Sequence, residues 1–231
     1  MTRRAIGLAV GLVTTMGSSV MAQVITEPPL IPRHSFEIAG GLDWFGGFDL
    51  GVRTASLPRN PTTGTGSFIL FTSDGRQEAF PAGWLTVGYH LSETFLLEAA
   101  GSLSRPRPRI SITSDAELQN GATLSTEGLT EYTVGGSLVI HLTKLAIGTR
   151  TLPFVRAGAE LIKQVQGGAV EDGRLYYAGG GLRYVLISQN RRPSTFGVRG
   201  EARVNLRDGA FALSDDDRVY ASIGAGLFVT F

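Results

Sequence analysis

The sequence predicts an all-β chain that closes into an antiparallel transmembrane β-barrel of eight strands, with ten strands as the alternative. Three observations carry that expectation. Eight segments alternate apolar and polar residues with a period of two, which gives each one greasy and one polar face. Most run to ten residues or more, whereas strands of soluble domains span about 5 to 6 residues and a tilted membrane-crossing strand needs about 9 to 11. Proline cannot donate to a strand ladder, and Pro58, Pro61, Pro81, Pro106, Pro108 and Pro193 all fall between the segments; Pro153 stands at a strand start, where it is tolerated.

Composition points the same way. With 31 glycines and 10 prolines among 231 residues, long helices are disfavoured, and the β-branched and aromatic residues favour strands joined by turns. The 21 Lys and Arg nearly cancel the 20 Asp and Glu, so the chain lacks the basic field that nucleic acid requires of a partner.

The first element is an export signal. Residues 1–22 combine a basic start at Arg3 and Arg4, an apolar run from 5 to 13, and a small-residue cleavage site ending at Ala22. Thr14, Thr15, Ser18 and Ser19 interrupt the run before it reaches the length of a membrane anchor. Cleavage leaves a mature chain starting at Gln23, with 19 basic and 20 acidic residues and a net charge of −1. An exported chain with no cysteine must find its cohesion outside disulfides. Residues 23–33 contain Pro28, Pro29 and Pro32 without any period and read as a periplasmic tether.

The barrel domain is expected over 34–231, its strands at 36–44, 84–91, 95–104, 131–142, 153–162, 174–186, 196–206 and 219–231. From a periplasmic N-terminus, the outward gaps are 45–83, 105–130, 163–173 and 207–218, and the inward gaps are 92–94, 143–152 and 187–195. Short periplasmic turns and longer external loops are the expected pattern for such a barrel. Within the first outward gap, 67–72 and 76–80 around Ser73-Asp74-Gly75 read as a projecting hairpin. The ten-stranded alternative instead sends 48–56 and 66–72 across the membrane.

Strand parity then sorts the charges. If Phe196, Val198, Gly200, Ala202, Val204 and Leu206 face lipid, Arg199, Glu201, Arg203 and Asn205 face inward. The same parity hides Glu37, Asp43, Glu98, Glu131, Arg156, Glu160 and Arg183, giving six acids against four bases. An eight-stranded barrel is only wide enough for side chains to fill. A sealed ion-pair network is therefore preferred to a channel lining.

The final segment places Val219, Ala221, Ile223, Ala225, Leu227, Val229 and Phe231 on one face and ends on phenylalanine. It resembles the assembly signal of bacterial outer-membrane barrels. Segments 83–91, 153–159 and 179–184 are similar to strands of the OmpA-like and OmpX-like small-barrel family. The resemblance covers roughly 34–231 and implies a Gram-negative cell-envelope protein of the outer membrane. Its implied partners are membrane lipid, lipopolysaccharide and the barrel assembly machinery, with the chain monomeric. The sequence departs from that family in its long first outward gap and in having no peptidoglycan-binding domain after the barrel.

Sites of chemistry are sparse. His90-Leu91-Ser92, with Glu93 and Glu98 near, resembles the His-x-Ser pairing of lipid A deacylases, in which a base activates a hydroxyl. His34, His90 and His141 nevertheless fall at periplasmic strand ends, where solvated or interfacial histidines are the expectation. Asp215-Asp216-Asp217 reads as a solvated loop tip rather than a calcium site, whose liganding pattern is absent. Arg105, Arg107 and Arg109 read as a solvated loop in preference to a phosphate contact. Gly179-Gly180-Gly181 has no following helix and serves close packing or curvature, not a phosphate loop. The expected protein is thus a non-enzymatic outer-membrane barrel without catalytic, cofactor or metal residues, serving a structural, surface-interaction or envelope-maintenance role. The alternatives are a narrow pore and, behind it, a lipid A modifying enzyme.

Overall fold

Period-two alternation becomes strand throughout the computed structural model, which describes residues 33–58, 64, 66–113, 123–125, 129–189, 194–211, 213 and 217–231. The expected signal peptide and all of the tether but Arg33 lie outside the described residues. Twelve strands follow in chain order: β1 (Phe36–Phe45), β2 (Phe48–Leu57), β3 (Phe68–Gln77), β4 (Phe80–His90), β5 (Phe95–Ser104), β6 (Pro108–Thr113), β7 (Thr123–Ser125), β8 (Thr130–His141), β9 (Thr151–Gln166), β10 (Ala169–Gln189), β11 (Ser194–Gly209) and β12 (Arg218–Thr230). A 3₁₀ turn, Thr143–Leu145, joins β8 to β9.

Eight strands form a closed antiparallel barrel in the order β1-β12-β11-β10-β9-β8-β5-β4. Closure is between first and last: β1 pairs with β12 from Glu37↔Thr230 to Phe45↔Ser222. On its other side β1 pairs with β4 from Phe36↔Tyr89 to Phe45↔Phe80. The wall is inverted relative to a soluble domain. Leu42 is 68% exposed and Val219 65%, while Glu37 is 1% exposed and Glu98 2%. A continuous apolar exterior over a charged interior is the arrangement a barrel needs in lipid, where closure also satisfies every strand edge. Phe36, Tyr89, Phe95, Tyr184 and Phe231 ring the wall near the chain termini, and Trp44, Tyr132 and Tyr176 lie outward near the opposite end.

The remaining strands make a second sheet, β2-β3-β6-β7, at the end away from the termini. It corrects two expectations. Residues 48–56, and 66–72 from Phe68 onward, are strand, but they belong to this sheet and not to a ten-stranded wall. Nor does the chain turn at Ser73-Asp74-Gly75: β3 runs straight through it, paired with β2 on one side and β6 on the other. Ser73 Oγ donates to the Arg53 carbonyl at 3.1 Å, and a Cβ on Gly75 would stand 2.7 Å from Leu213 Cδ1. Turn-like residues are used here for a cross-strand bond and a close contact. A bulge between Asp49 and Gly51, where Gly51 adopts a φ of 95°, interrupts the β2 register.

Two further boundaries move. The outward gap 163–173 is absorbed into β9 and β10, which continue to Gln166 and from Ala169 around a two-residue Gly167-Gly168 turn with φ of 55° and 91°. Pro81 and Pro108 lie inside β4 and at the first position of β6, not between strands.

Candidate functional site: the charged lumen

Every residue that parity assigned to the interior is buried there, in three layers. The layer nearest the termini is built on Glu37 of β1. Its Oε2 accepts from Thr230 Oγ1 at 3.1 Å, lies 3.0 Å from His90 Nε2, and accepts a close bond from Arg183. Arg183 Nη1 donates to His141 Nε2 at 2.8 Å, and its guanidinium lies 4.0 Å from the Phe228 ring centroid. The two imidazoles stack with centroids 5.6 Å apart.

These histidines correct the expectation of solvated side chains. His90 and His141 are inside the barrel, 0% and 2% exposed, because inward parity carries them to where Glu37 and Arg183 supply polar partners. His34 is exposed, 3.4 Å from Tyr89 Oη. The suggested His-x-Ser pair is divided between two tasks. Ser92 Oγ accepts from the Thr94 and Phe95 amides at 3.2 and 3.1 Å, closing a turn, while His90 Nε2 faces Glu37.

The middle layer centres on Glu98 of β5. It accepts from Arg199 Nη1 at 2.7 Å and from Ser137 Oγ at 3.0 Å, and Arg156 Nη2 stands 3.2 Å away. Arg156 continues to Glu201 at 3.0 Å, Arg203 Nε lies 3.4 Å from Glu201, and Arg203 closes the chain on Asp43. Arg199 also lies 4.3 Å from the Trp84 ring centroid. Glu160 takes its hydrogen bond from Thr133 rather than from an arginine.

In the layer farthest from the termini, Glu131 accepts from Arg207 at 2.7 Å and from Gln164 at 2.6 Å. Asn205 Nδ2 donates to Ser222 Oγ at 2.9 Å. Arg207 and Arg218 are buried inward residues that the sequence list lacked. Arg207 continues the odd-numbered series Arg199, Arg203, Asn205, so extending strand seven by one residue would have found it. With both, the lumen holds six arginines against six carboxylates among the described residues.

Above this layer the barrel is closed by aromatic rings. Phe45 stacks on Phe80 at 5.2 Å and Phe48 on Tyr220 at 4.5 Å, with Phe45 and Tyr220 6.0 Å apart. Phe48 is the first residue of β2, so the second sheet is anchored through the plug itself. A cavity of about 10 Å³ among Asp43, Trp84, Thr86, Arg156, Glu160 and Arg203 is of the size that holds one water. Among the described residues no cluster of His, Cys, Asp or Glu could hold a metal.

The other candidates lie outside the lumen. The backbones of Phe231 and Phe36 exchange two hydrogen bonds of 2.9 Å, and their exposed rings stack at 6.5 Å. Arg105, Arg107 and Arg109 are all exposed, with Pro106 and Pro108 buried between them, and Arg109 pairs with Glu78 at 2.7 Å. Asp217 is exposed; Asp215 and Asp216 lie outside the described residues.

No family model and no curated protein matches the chain. Solved structures do match its fold. Neisserial surface protein A is 12% identical with a TM-score of 0.50, over 85% of this chain and 97% of that one. The outer membrane protein OprG from Pseudomonas aeruginosa is 9% identical with a TM-score of 0.55, over 89% and 99%. The chain has the fold of the small eight-stranded outer-membrane barrels.

Proposed function

We propose that this protein is a non-enzymatic barrel of the outer membrane that anchors a protruding β-sheet for interactions at the cell surface. The observation that carries the reading is the filled interior: three layers of paired charge, a lumenal cavity the size of about one water, and an aromatic plug beneath the sheet. A conduit needs a continuous polar path, and ion pairs locked to one another supply mechanical closure instead. In this reading the signal over 1–22 exports the chain, the termini face the periplasm, and β2, β3, β6 and β7 stand outside. The monomeric barrel sits in lipid and lipopolysaccharide after insertion by the barrel assembly machinery, which reads Phe231. The exposed Asp49, Arg76 and Arg109 of the sheet, with Glu78 just past the end of β3, offer polar, mixed-charge contacts.

Planar-bilayer recordings of the refolded protein test the reading against a pore. The expected trace has no stable unitary openings, and reproducible openings that persist after purification would overturn the sealed barrel.

A further inference from the structure

Histidine enters the lumen only in the layer nearest the termini. The chain has three histidines; His34 is exposed, and the two buried ones, His90 and His141, sit together in that layer. The buried charges of the other two layers are arginine, aspartate and glutamate. Imidazole is the one side chain whose unperturbed charge changes between about pH 5 and 8. A response of the lumen to mild acid therefore has to begin in this layer.

Hydrogen-bond chemistry separates the two rings. A guanidinium only donates, so His141 Nε2, 2.8 Å from Arg183 Nη1, is the acceptor. This imidazole is neutral and carries its hydrogen on Nδ1. Glu37 accepts from Arg183 and Thr230, and His90 Nε2, 3.0 Å from the same oxygen, donates to it. A proton added to His90 goes to Nδ1 and strengthens its pair with the carboxylate. A proton added to His141 goes to Nε2 and sets two cationic donors against each other at 2.8 Å.

Arg183 has little room to retreat, because it is bonded to Glu37 and lies 4.0 Å from the Phe228 ring centroid. The His141 backbone is held too: its amide donates to the Thr94 carbonyl at 2.7 Å, and β9 places Phe154 opposite it. The surrounding charges leave His141 no carboxylate of its own. Arg183 comes from β10, His90 from β4 and Glu37 from β1, the last already shared by three donors. On the flanking β5, Glu98 belongs to the middle layer, held by Arg199 and Arg156. Glu93, in the turn before β5, pairs with Arg33 at 3.1 Å, and Lys144 and Arg150, in the turn after β8, are exposed.

We infer that His141 is an acid-sensitive latch. Neutral, it ties β8 to β10 across the lumen through Arg183. Protonated, it leaves Arg183, and the layer nearest the termini loosens while the two layers beyond it, which lack histidine, stay paired under the aromatic plug. Mild acid thus makes one end of the barrel labile without unsealing the other.

The test uses the whole mature chain, refolded in detergent and unfolded in urea at steps between about pH 7.5 and about pH 5, the range in which imidazole titrates. An unfolded imidazole takes up its proton near pH ~6.5, whereas the closed latch admits none. Below that pH the unfolded chain binds more protons, so stability falls as pH falls. The wild-type unfolding constant should rise by up to about tenfold for each pH unit. In His141→Gln the amide oxygen still accepts from Arg183 but takes up no proton; this variant should match the wild type at the upper pH and stay flat below it. His90→Gln should keep the wild-type pH dependence. Nitrogen NMR of the imidazoles should show His141 as the Nδ1–H tautomer at the upper pH, a reading that needs no variant and so stands even where His141→Gln does not refold. A wild-type midpoint that does not move with pH, a His141→Gln profile as steep as the wild type's, or a His141 ring protonated on Nε2 at the upper pH overturns the latch.

Discussion

Arg199 and Arg107 are the same residue type in opposite situations. Arg199 is 4% exposed, bonded to Glu98 and stacked on Trp84, whereas Arg107 is exposed on the wall. Removing one partner of a buried pair leaves a charge without compensation and costs about 3 to 5 kcal/mol. Arg199→Ala should therefore lower the urea unfolding midpoint markedly, and Arg107→Ala, in detergent free of lipid A, should leave it unchanged. Equal shifts would mean that the two faces are wrongly assigned. Parity alone identified Arg199 as interior, since each residue of a strand reverses the face of the one before. It could not say which carboxylate the guanidinium would meet: Glu98 lies 101 positions away, and only closure brings β5 and β11 across the same lumen. Glu160 makes the same point, because its partner is Thr133 and not an arginine.

At the scale of the strand, the three glycines of β10 have a steric purpose that their sequence only suggested. A Cβ on Gly181 would lie 2.1 Å from the Gly200 carbonyl oxygen and 2.7 Å from Phe154 Cζ, while one on Gly83 would meet nothing within 4 Å. Gly181→Val should consequently prevent refolding into the heat-modifiable barrel, and Gly83→Val should refold as the wild type does. Comparable refolding of both would remove close approach as the reason for the glycine run. Barrel strands were legible because each shows one alternating face over about ten residues. The outer strands were not: Ser73-Asp74-Gly75 carries turn residues in the middle of β3, and β6 and β7 have only six and three residues. Their pairing also depends on two loops that meet only after the barrel forms.

Closure of the whole molecule ends on Phe231. The residue exchanges two backbone hydrogen bonds with Phe36, yet its ring is 55% exposed on the lipid side. Fully burying such a side chain is worth about 1.5 to 3 kcal/mol, so its deletion removes little of the barrel's own stability. Deleting Phe231 should reduce outer-membrane yield in cells sharply while leaving refolding in detergent near the wild-type level. Wild-type yields in both settings would show the residue to be an ordinary lipid-facing terminus and not an assembly signal.

The order of apolar and polar residues alone determined the number of barrel strands, the face each presents and the identity of most lumenal charges, because a period of two is a local property of the chain. Tertiary structure decided what depends on distant segments meeting. It joined the first two outward loops into one sheet through β3 and β6, drew His90 and His141 into contact with Glu37 and Arg183, and closed the mouth with Phe45, Phe48, Phe80 and Tyr220. Each of these is a contact across the barrel or between loops, and no sequence period spans such separations; they exist only once β1 and β12 have closed the ring.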